Sequence, residues 1–284
     1  MLVLILILML AAFQVTLFDY LVNNPDYYQL DKMVWETDEF RQMALGDLIV
    51  QEPVLDAETI AALMVEKDYD LTDLTELDPK GEAIAAKKPA AFQKLIHAYQ
   101  TVFSDLKYFP IPKMTADGTK DVCYENGWMD PRSYGGDRGH EGCDIMGGEY
   151  PSGFYPVISM SDGVVEKCGW LEQGGWRLGI RTPSGLYVYY AHLYGYAKEW
   201  KEGDIVSAGT LLGFMGDTGY SKIEGTTGNF PVHLHIGLYL RTDNYEELSV
   251  SPYWILRYLE QYRLNCLGKT MHIAHIIFKG DMIK

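Results

Sequence analysis

The sequence predicts an α+β protein: a mainly antiparallel β-sheet domain, preceded by a helical N-terminal module and an N-terminal hydrophobic segment. Three observations predict it. Residues 1–18 are uncharged and almost wholly apolar, residues 19–110 repeat apolar positions at helical spacing, and short β-prone runs separated by glycine turns follow Pro151. A chain of 284 residues is long enough for one sizeable core plus a second module.

The first segment, Met1 to Phe18, is close to the roughly 20 apolar residues that span a bilayer as a helix. No Lys or Arg precedes Asp19, no small-residue cleavage site follows, and no Cys nearby suits a lipid anchor. Set against a buried core helix, three readings stand: a membrane anchor, an atypical uncleaved signal, or an N-terminus without its basic residues. Each sends the remainder outside the cytoplasm.

The helical module occupies residues 19–110. Asp56 caps a helix start in Asp56-Ala57-Glu58-Thr59, with an acid in the first turn. Pro89 opens a helix through Leu106, with Phe92, Leu95, Ile96, Tyr99, Val102 and Phe103 on one face and His97 at its surface or boundary. Phe109-Pro110-Ile111-Pro112 ends the pattern. Nothing in this module carries chemistry; it reads as a spacer, a partner-binding surface or a lid.

The β domain runs from 111 to 264, with its motifs between 130 and 240. Strands are predicted at Asp162 to Trp170, Trp176 to Thr182, Leu186 to Leu193, Leu211 to Met215 and His233 to Leu240. Ser251-Pro252 is expected to cap a helix from Tyr253 to Arg263. Residues 265–284 form a tail whose His272 and His275 lack a third ligand and read as incidental.

The net charge of −15 is concentrated in residues 19–110, which hold 18 acidic against 8 basic side chains. Nucleic acid is not a partner for such a surface, because its binding requires Lys and Arg to neutralise phosphates. The four cysteines, Cys123, Cys143, Cys168 and Cys266, form no Cys-x-x-Cys pair, and no disulfide is predicted.

The chemistry lies in three short segments: Gly139-His140-Glu141-Gly142-Cys143-Asp144, Tyr190-Ala191-His192-Leu193 and Val232-His233-Leu234-His235. They hold four of the chain's seven histidines. Imidazole nitrogen with carboxylate oxygen suits zinc, and three protein ligands leave a fourth position open for water. His233 and His235, two apart on a strand, face one site. His140 and Asp144 are four apart, but Gly139, Gly142, Gly147 and Gly148 disfavour a helix there and point to a metal-gripping loop. If that loop alternates in direction, Cys143, itself a zinc-ligand type, points away while Asp144 points in.

With Arg138-Gly139-His140-Glu141-Gly142-Cys143-Asp144-Ile145, Tyr190-Ala191-His192-Leu193 and His233-Leu234-His235 in this order, the chain resembles the lysostaphin/LytM-type zinc metalloendopeptidases. These bacterial enzymes cut peptide bonds in peptidoglycan. Flanking runs such as Ser161-Asp162-Gly163-Val164-Val165 and Gly213-Phe214-Met215-Gly216-Asp217-Thr218-Gly219 agree. The resemblance implies one zinc ion per chain held by His140, Asp144 and His235, with His192 and His233 as the unligated catalytic pair. It also implies a peptidoglycan or peptide substrate, and a place in the bacterial cell envelope outside the cytoplasm, anchored or secreted.

In two places the sequence departs from the family: Cys143 stands beside the implied ligand Asp144, where a small or β-branched residue would be unremarkable, and Thr218-Gly219 does not lead directly into His-Leu-His. Thr218-Gly219 is separated from His233 by Tyr220 to Val232, and that longer loop is expected to reshape one wall of the cleft. No Glu lies between two helical histidines to act as base, so base and oxyanion donor fall to His192 and His233. Glu141 is read as solvent-facing, and Arg138 as a holder of substrate carboxylate or a structural residue. Two other classes fit the same residues: an endopeptidase of other extracellular peptides or proteins, and a catalytically silent wall-binding or regulatory scaffold.

Overall fold

The computed structural model describes residues 2–23, 36–79, 81–114 and 119–266. The described residues fall into two compact units, within the bounds Met1–Phe40 plus Ala44–Tyr99, and Arg41–Met43 plus Gln100–Lys284. His272 and His275 lie outside the described residues.

The first unit is helical. α1 (Leu2–Asn23) carries the apolar segment past Asp19 to Asn23, and none of its residues is buried. Its 22 residues span about 33 Å, enough to cross the hydrocarbon layer of a membrane. A helix with so apolar a surface is not tolerated in water. The full chain is therefore expected to sediment with membranes in fractionation and a variant lacking residues 1–23 to remain soluble. A soluble full-length chain with this segment protected from protease would place it in a core instead.

Short helices follow: α2 (Asp38–Arg41), α3 (Gly46–Val50), α4 (Ala57–Glu66), α5 (Gly81–Lys87) and α6 (Pro89–Phe103). Asp56 caps α4 by accepting the Thr59 amide at 2.9 Å. The predicted apolar face of α6 is real: Phe92, Leu95, Ile96 and Tyr99 are buried in this unit, where Phe40 packs on Tyr99 at 5.2 Å between ring centroids. His97 is exposed, as its place outside that face requires.

The second unit is built on strands. β1 (Lys113–Met114), β2 (Pro131–Arg132), β3 (Arg138–Gly139), β4 (Cys143–Met146) and β5 (Pro156–Ile158) come first. β6 (Gly163–Leu171), β7 (Gly175–Arg181) and β8 (Tyr187–Tyr196) form a meander. β9 (Ile205–Val206), β10 (Leu211–Met215), β11 (His233–Leu240), β12 (Leu248–Val250), α7 (Tyr253–Leu259) and β13 (Asn265–Cys266) complete it. Nine strands make one sheet in the order β12-β11-β8-β7-β6-β9, with β4 added to β11 and β10 joining β8 to β5. Its pairings are antiparallel, as adjacent strands with tight glycine turns dictate.

Alternation along the strands separates core from cleft. Val188 and Tyr190 of β8 and Leu234, Ile236 and Leu238 of β11 are fully buried on one face. Tyr187, Tyr189, His233, His235 and Tyr239 line a cleft on the other. The Tyr190 hydroxyl, buried with the core, accepts the Met160 amide at 2.8 Å and so remains satisfied.

The predicted cap at Ser251 is a correction. The residue preceding α7 is Pro252, and no side chain bonds to the helix N-terminus. The helix also ends at Leu259, and Glu260–Tyr262 continue as a 3₁₀ turn.

Candidate metal centre

β11 and β4 run antiparallel with Asp144 directly opposite His235. On the other flank of β11, Ala191 of β8 is opposite the same His235. His140 sits in the loop between β3 and β4, while Asp144 is already on β4. The segment therefore combines a loop ligand with a strand ligand.

Hydrogen bonds fix which atoms face the site. Nδ1 of His140 lies 3.0 Å from the Gly127 carbonyl oxygen. A carbonyl only accepts, so Nδ1 donates and Nε2 turns inward. That Nε2 is 3.1 Å from Asp144 Oδ1 and 3.0 Å from His235 Nδ1. Asp144 Oδ1 is in turn 2.9 Å from His235 Nδ1. The ligand-type atoms of His140, Asp144 and His235 all lie within 4.8 Å of one another. Asp144 Oδ2 accepts from Arg132 Nη2 at 2.8 Å, which orients the carboxylate and leaves Oδ1 toward the histidines.

This donor set fits zinc: two imidazole nitrogens, one carboxylate oxygen, and three ligands rather than four. Gly142 makes room for it, since a Cβ there would collide with the His235 ring and the Ile236 carbonyl. Cys143 is on the opposite side of β4, 1% exposed, with its Sγ 3.6 Å from the Glu125 carbonyl oxygen. Burial, followed by the neighbouring Asp144 charge, pushes its thiol up to about 12, so it stays protonated and outside the ligand group.

Electrostatics divide the group. Burial pushes the Asp144 carboxyl up, yet its close contacts with His140 and His235 outweigh it and hold it well below the usual carboxylate range. Asp144 is thus ionised throughout the physiological range. Burial lowers His235 despite its bond to Asp144, and burial with the neighbouring His233 and His235 charges lowers His192 strongly. Neutral imidazoles are the form that binds a metal or accepts a proton.

His192 reaches the cleft by a distortion that a regular strand would not allow. Tyr187, Tyr189 and Ala191 already occupy the cleft face of β8, so unbroken alternation would turn His192 into the core. Its φ of 61° places it in the left-handed region, and the registers of both neighbouring strands slip beside it. A non-glycine residue held there costs about 1–3 kcal/mol and persists only where surroundings over-determine it. Its amide donates to the Gly174 carbonyl at 2.7 Å, and Nδ1 is 2.7 Å from the Thr218 carbonyl oxygen. Nε2 is therefore the acceptor left on the ring. His233 is held the same way, Nδ1 at 2.7 Å from the Pro231 carbonyl oxygen and Nε2 at 3.7 Å from Asp144 Oδ1.

The segment from Tyr220 to Val232 contributes Tyr220 to one wall. Phe230 packs edge-on to His192 at 4.6 Å, and Tyr220 stacks on Tyr134 at 4.4 Å. Glu141 is half-exposed and pairs with Arg41 at 2.8 Å.

All five residues singled out in the sequence border one cleft of about 560 Å³. Sequence reasoning missed Arg132, Tyr189 and Arg177. Period-two alternation within Tyr187-Val188-Tyr189-Tyr190 was a signal for Tyr189; nothing in the local sequence marked Arg132.

A loop histidine, a strand aspartate and a strand histidine converging on an open cleft over an antiparallel sheet define a metallopeptidase-type centre. The chain belongs to peptidase family M23, a family of zinc metallo-endopeptidases, whose model matches residues 138–247. It is 43% identical over 171 residues to the L-Ala--D-Glu endopeptidase of Bacillus subtilis, covering 60% of this chain and 49% of that protein. Lysostaphin of Staphylococcus simulans is 38% identical over 68 residues, 23% of this chain and 13% of its own length. The chain thus spans half or less of these curated relatives. A crystal structure from Ruminococcus gnavus, provisionally described as a glycyl-glycine endopeptidase lytM, superposes with a TM-score of 0.74 at 37% identity, over 85% of this chain and 98% of its own.

Proposed function

We propose that this protein is a zinc-dependent endopeptidase that hydrolyses peptide bonds in bacterial peptidoglycan, in the stem peptide or the cross-bridge. The observation that carries it is the convergence of His140 Nε2, Asp144 Oδ1 and His235 Nδ1 beside His192 and His233, whose Nδ1 atoms are each tied to a carbonyl. The relatives' names support the substrate class: one cuts an L-Ala--D-Glu bond, and another is described as a glycyl-glycine endopeptidase.

His140, Asp144 and His235 would hold the zinc. When bound, it supplies Lewis acidity, polarising a peptide carbonyl and acidifying water. The remaining steps belong to the side chains. Nε2 of His192 or His233 accepts the proton of the attacking water, because each Nδ1 already donates to a carbonyl. The imidazolium so formed then donates from Nε2 to the oxyanion or the leaving amine. The two rings lie 4.7 Å apart between centroids, close enough to address the same substrate group. The low basicity that burial confers on His192 keeps it unprotonated before substrate arrives. α1 and the wall substrate together support a location outside the cytoplasm, anchored at the membrane or secreted.

The test is digestion of purified peptidoglycan by the full chain, with released fragments read by mass spectrometry. New peptide N-termini that vanish with a chelator and return with zinc are expected. Cleavage confined to protein substrates, or binding to wall material without cleavage, would replace this reading.

A further inference from the structure

The cleft holds two guanidinium groups that the metal chemistry does not use. Arg138 on β3 and Arg177 on β7 both line it, together with Tyr189, whose phenol feels the charge of both. Arg138 Nε and Arg177 Nη1 are buried and hydrogen-bonded to no protein group. Among the described residues neither arginine belongs to an ion pair, whereas the carboxylates lining the same cleft are committed. Asp144 pairs with Arg132 at 2.8 Å, Glu141 with Arg41 at 2.8 Å, and Glu247 approaches Arg181 at 4.0 Å. The cleft's lysine, Lys167, approaches Glu202 at 3.6 Å. In a chain with an excess of acids, two half-buried guanidiniums without an internal counter-ion are a costly arrangement unless something else supplies the anion.

We propose that Arg138 and Arg177 form a carboxylate-reading subsite beside the metal centre, so that the cleft selects peptides bearing a free carboxylate near the scissile bond. Guanidinium is the group suited to this, because its planar fork matches a carboxylate with two parallel hydrogen bonds. Burial in the cleft wall strengthens those bonds and holds the forks in place. Tyr189 adds a neutral donor: burial pushes its phenol up, so it stays protonated. The subsite rests on the endopeptidase reading and refines it, favouring an acidic peptide over a run of neutral glycines.

The test uses the zinc-loaded full chain and two stem peptides that differ only at the glutamyl residue, one with its carboxylate free and one with it amidated. kcat/KM is expected to favour the free carboxylate by about tenfold or more, the size of charge-assisted hydrogen bonds lost to the amide. Arg138→Gln and Arg177→Gln should each shrink that ratio, and the double variant should bring it near one. The Lys variants should retain part of it, as a point charge without the fork. Zinc content and thermal melting of each variant report whether it is folded. Calorimetry with a second peptide pair, carrying a reduced and uncleavable bond, reads discrimination without turnover. Equal rates and equal affinities for free and amidated peptides would overturn the subsite while leaving the endopeptidase reading intact. Discrimination in binding with no peptide cleaved would overturn the endopeptidase reading and uphold the subsite.

Discussion

Replacing His140, Asp144 or His235 by alanine is expected to strip the protein of zinc and abolish peptide cleavage. With three ligands a mononuclear site has none to spare, because a zinc ion left with two protein ligands is readily lost to competing chelators. Elemental analysis after dialysis against a weak chelator should find about one zinc in the wild type and close to none in each variant. Asp144→Ala should be the most damaging. It removes a ligand and also leaves the Arg132 guanidinium, 2.8 Å from Asp144 Oδ2, without its partner next to two histidines. Asp144→Asn separates the two effects, since an amide oxygen still accepts from Arg132 but carries no charge for the metal. Full zinc in any of the three alanine variants removes that residue from the ligand set. Arg132→Ala should weaken zinc retention about 10–100-fold without abolishing it, the usual cost of losing a group that orients a ligand.

Much of this arrangement is legible in the amino-acid sequence, for identifiable reasons. β10 and β11 begin and end where apolar alternation and flanking glycines place them. Pro89 opens α6 because its fixed φ suits a first helical turn and its missing N–H costs nothing there. The pairing of His233 with His235 on one face follows from the period of a strand, and the glycines around His140 dictate a loop.

What is not legible depends on contacts distant in sequence. β8 runs to Tyr196, beyond the expected Leu193, because β10 pairs with its last residues. The left-handed φ of His192 has no local signature; it is imposed where β7 and β10 both slip in register and Thr218 offers its carbonyl. Arg132 becomes a partner of Asp144 only because β2 pairs with β3 and brings Arg132 opposite Arg138. At Ser251 a local rule misled: the helix starts at Tyr253 as expected, but Pro252 is the residue that precedes it and the Ser251 hydroxyl caps nothing.

His233→Ala and His192→Ala are expected to keep zinc and lose activity, which separates catalyst from ligand. His233 shares a strand face with His235, so spacing alone would let both bind the ion. Their distances to the other candidate ligands differ. His235 Nδ1 is 2.9 Å from Asp144 Oδ1 and 3.0 Å from His140 Nε2, inside the three-residue group. His233 Nε2 is 3.7 Å from the same oxygen, and its other nitrogen is tied to the Pro231 carbonyl. His192 is bound to Thr218 and walled by Phe230, and it belongs to the same outer pair. Removing a positioned acid or base costs about 10²–10⁴-fold in rate, and removing an oxyanion donor about 10²–10³-fold. The rates overlap, so zinc content is the deciding measurement. His192→Ala also tests the strained backbone: alanine is still penalised at a φ of 61°, whereas His192→Gly relieves it. Equal loss of activity in both variants, with a higher melting temperature for glycine, would assign the defect to the missing imidazole. If His233→Ala instead loses zinc as completely as His235→Ala, the site has three histidines and Asp144. Four protein ligands would close the ion as structural sites do, and the hydrolytic reading would fall with the open position it requires.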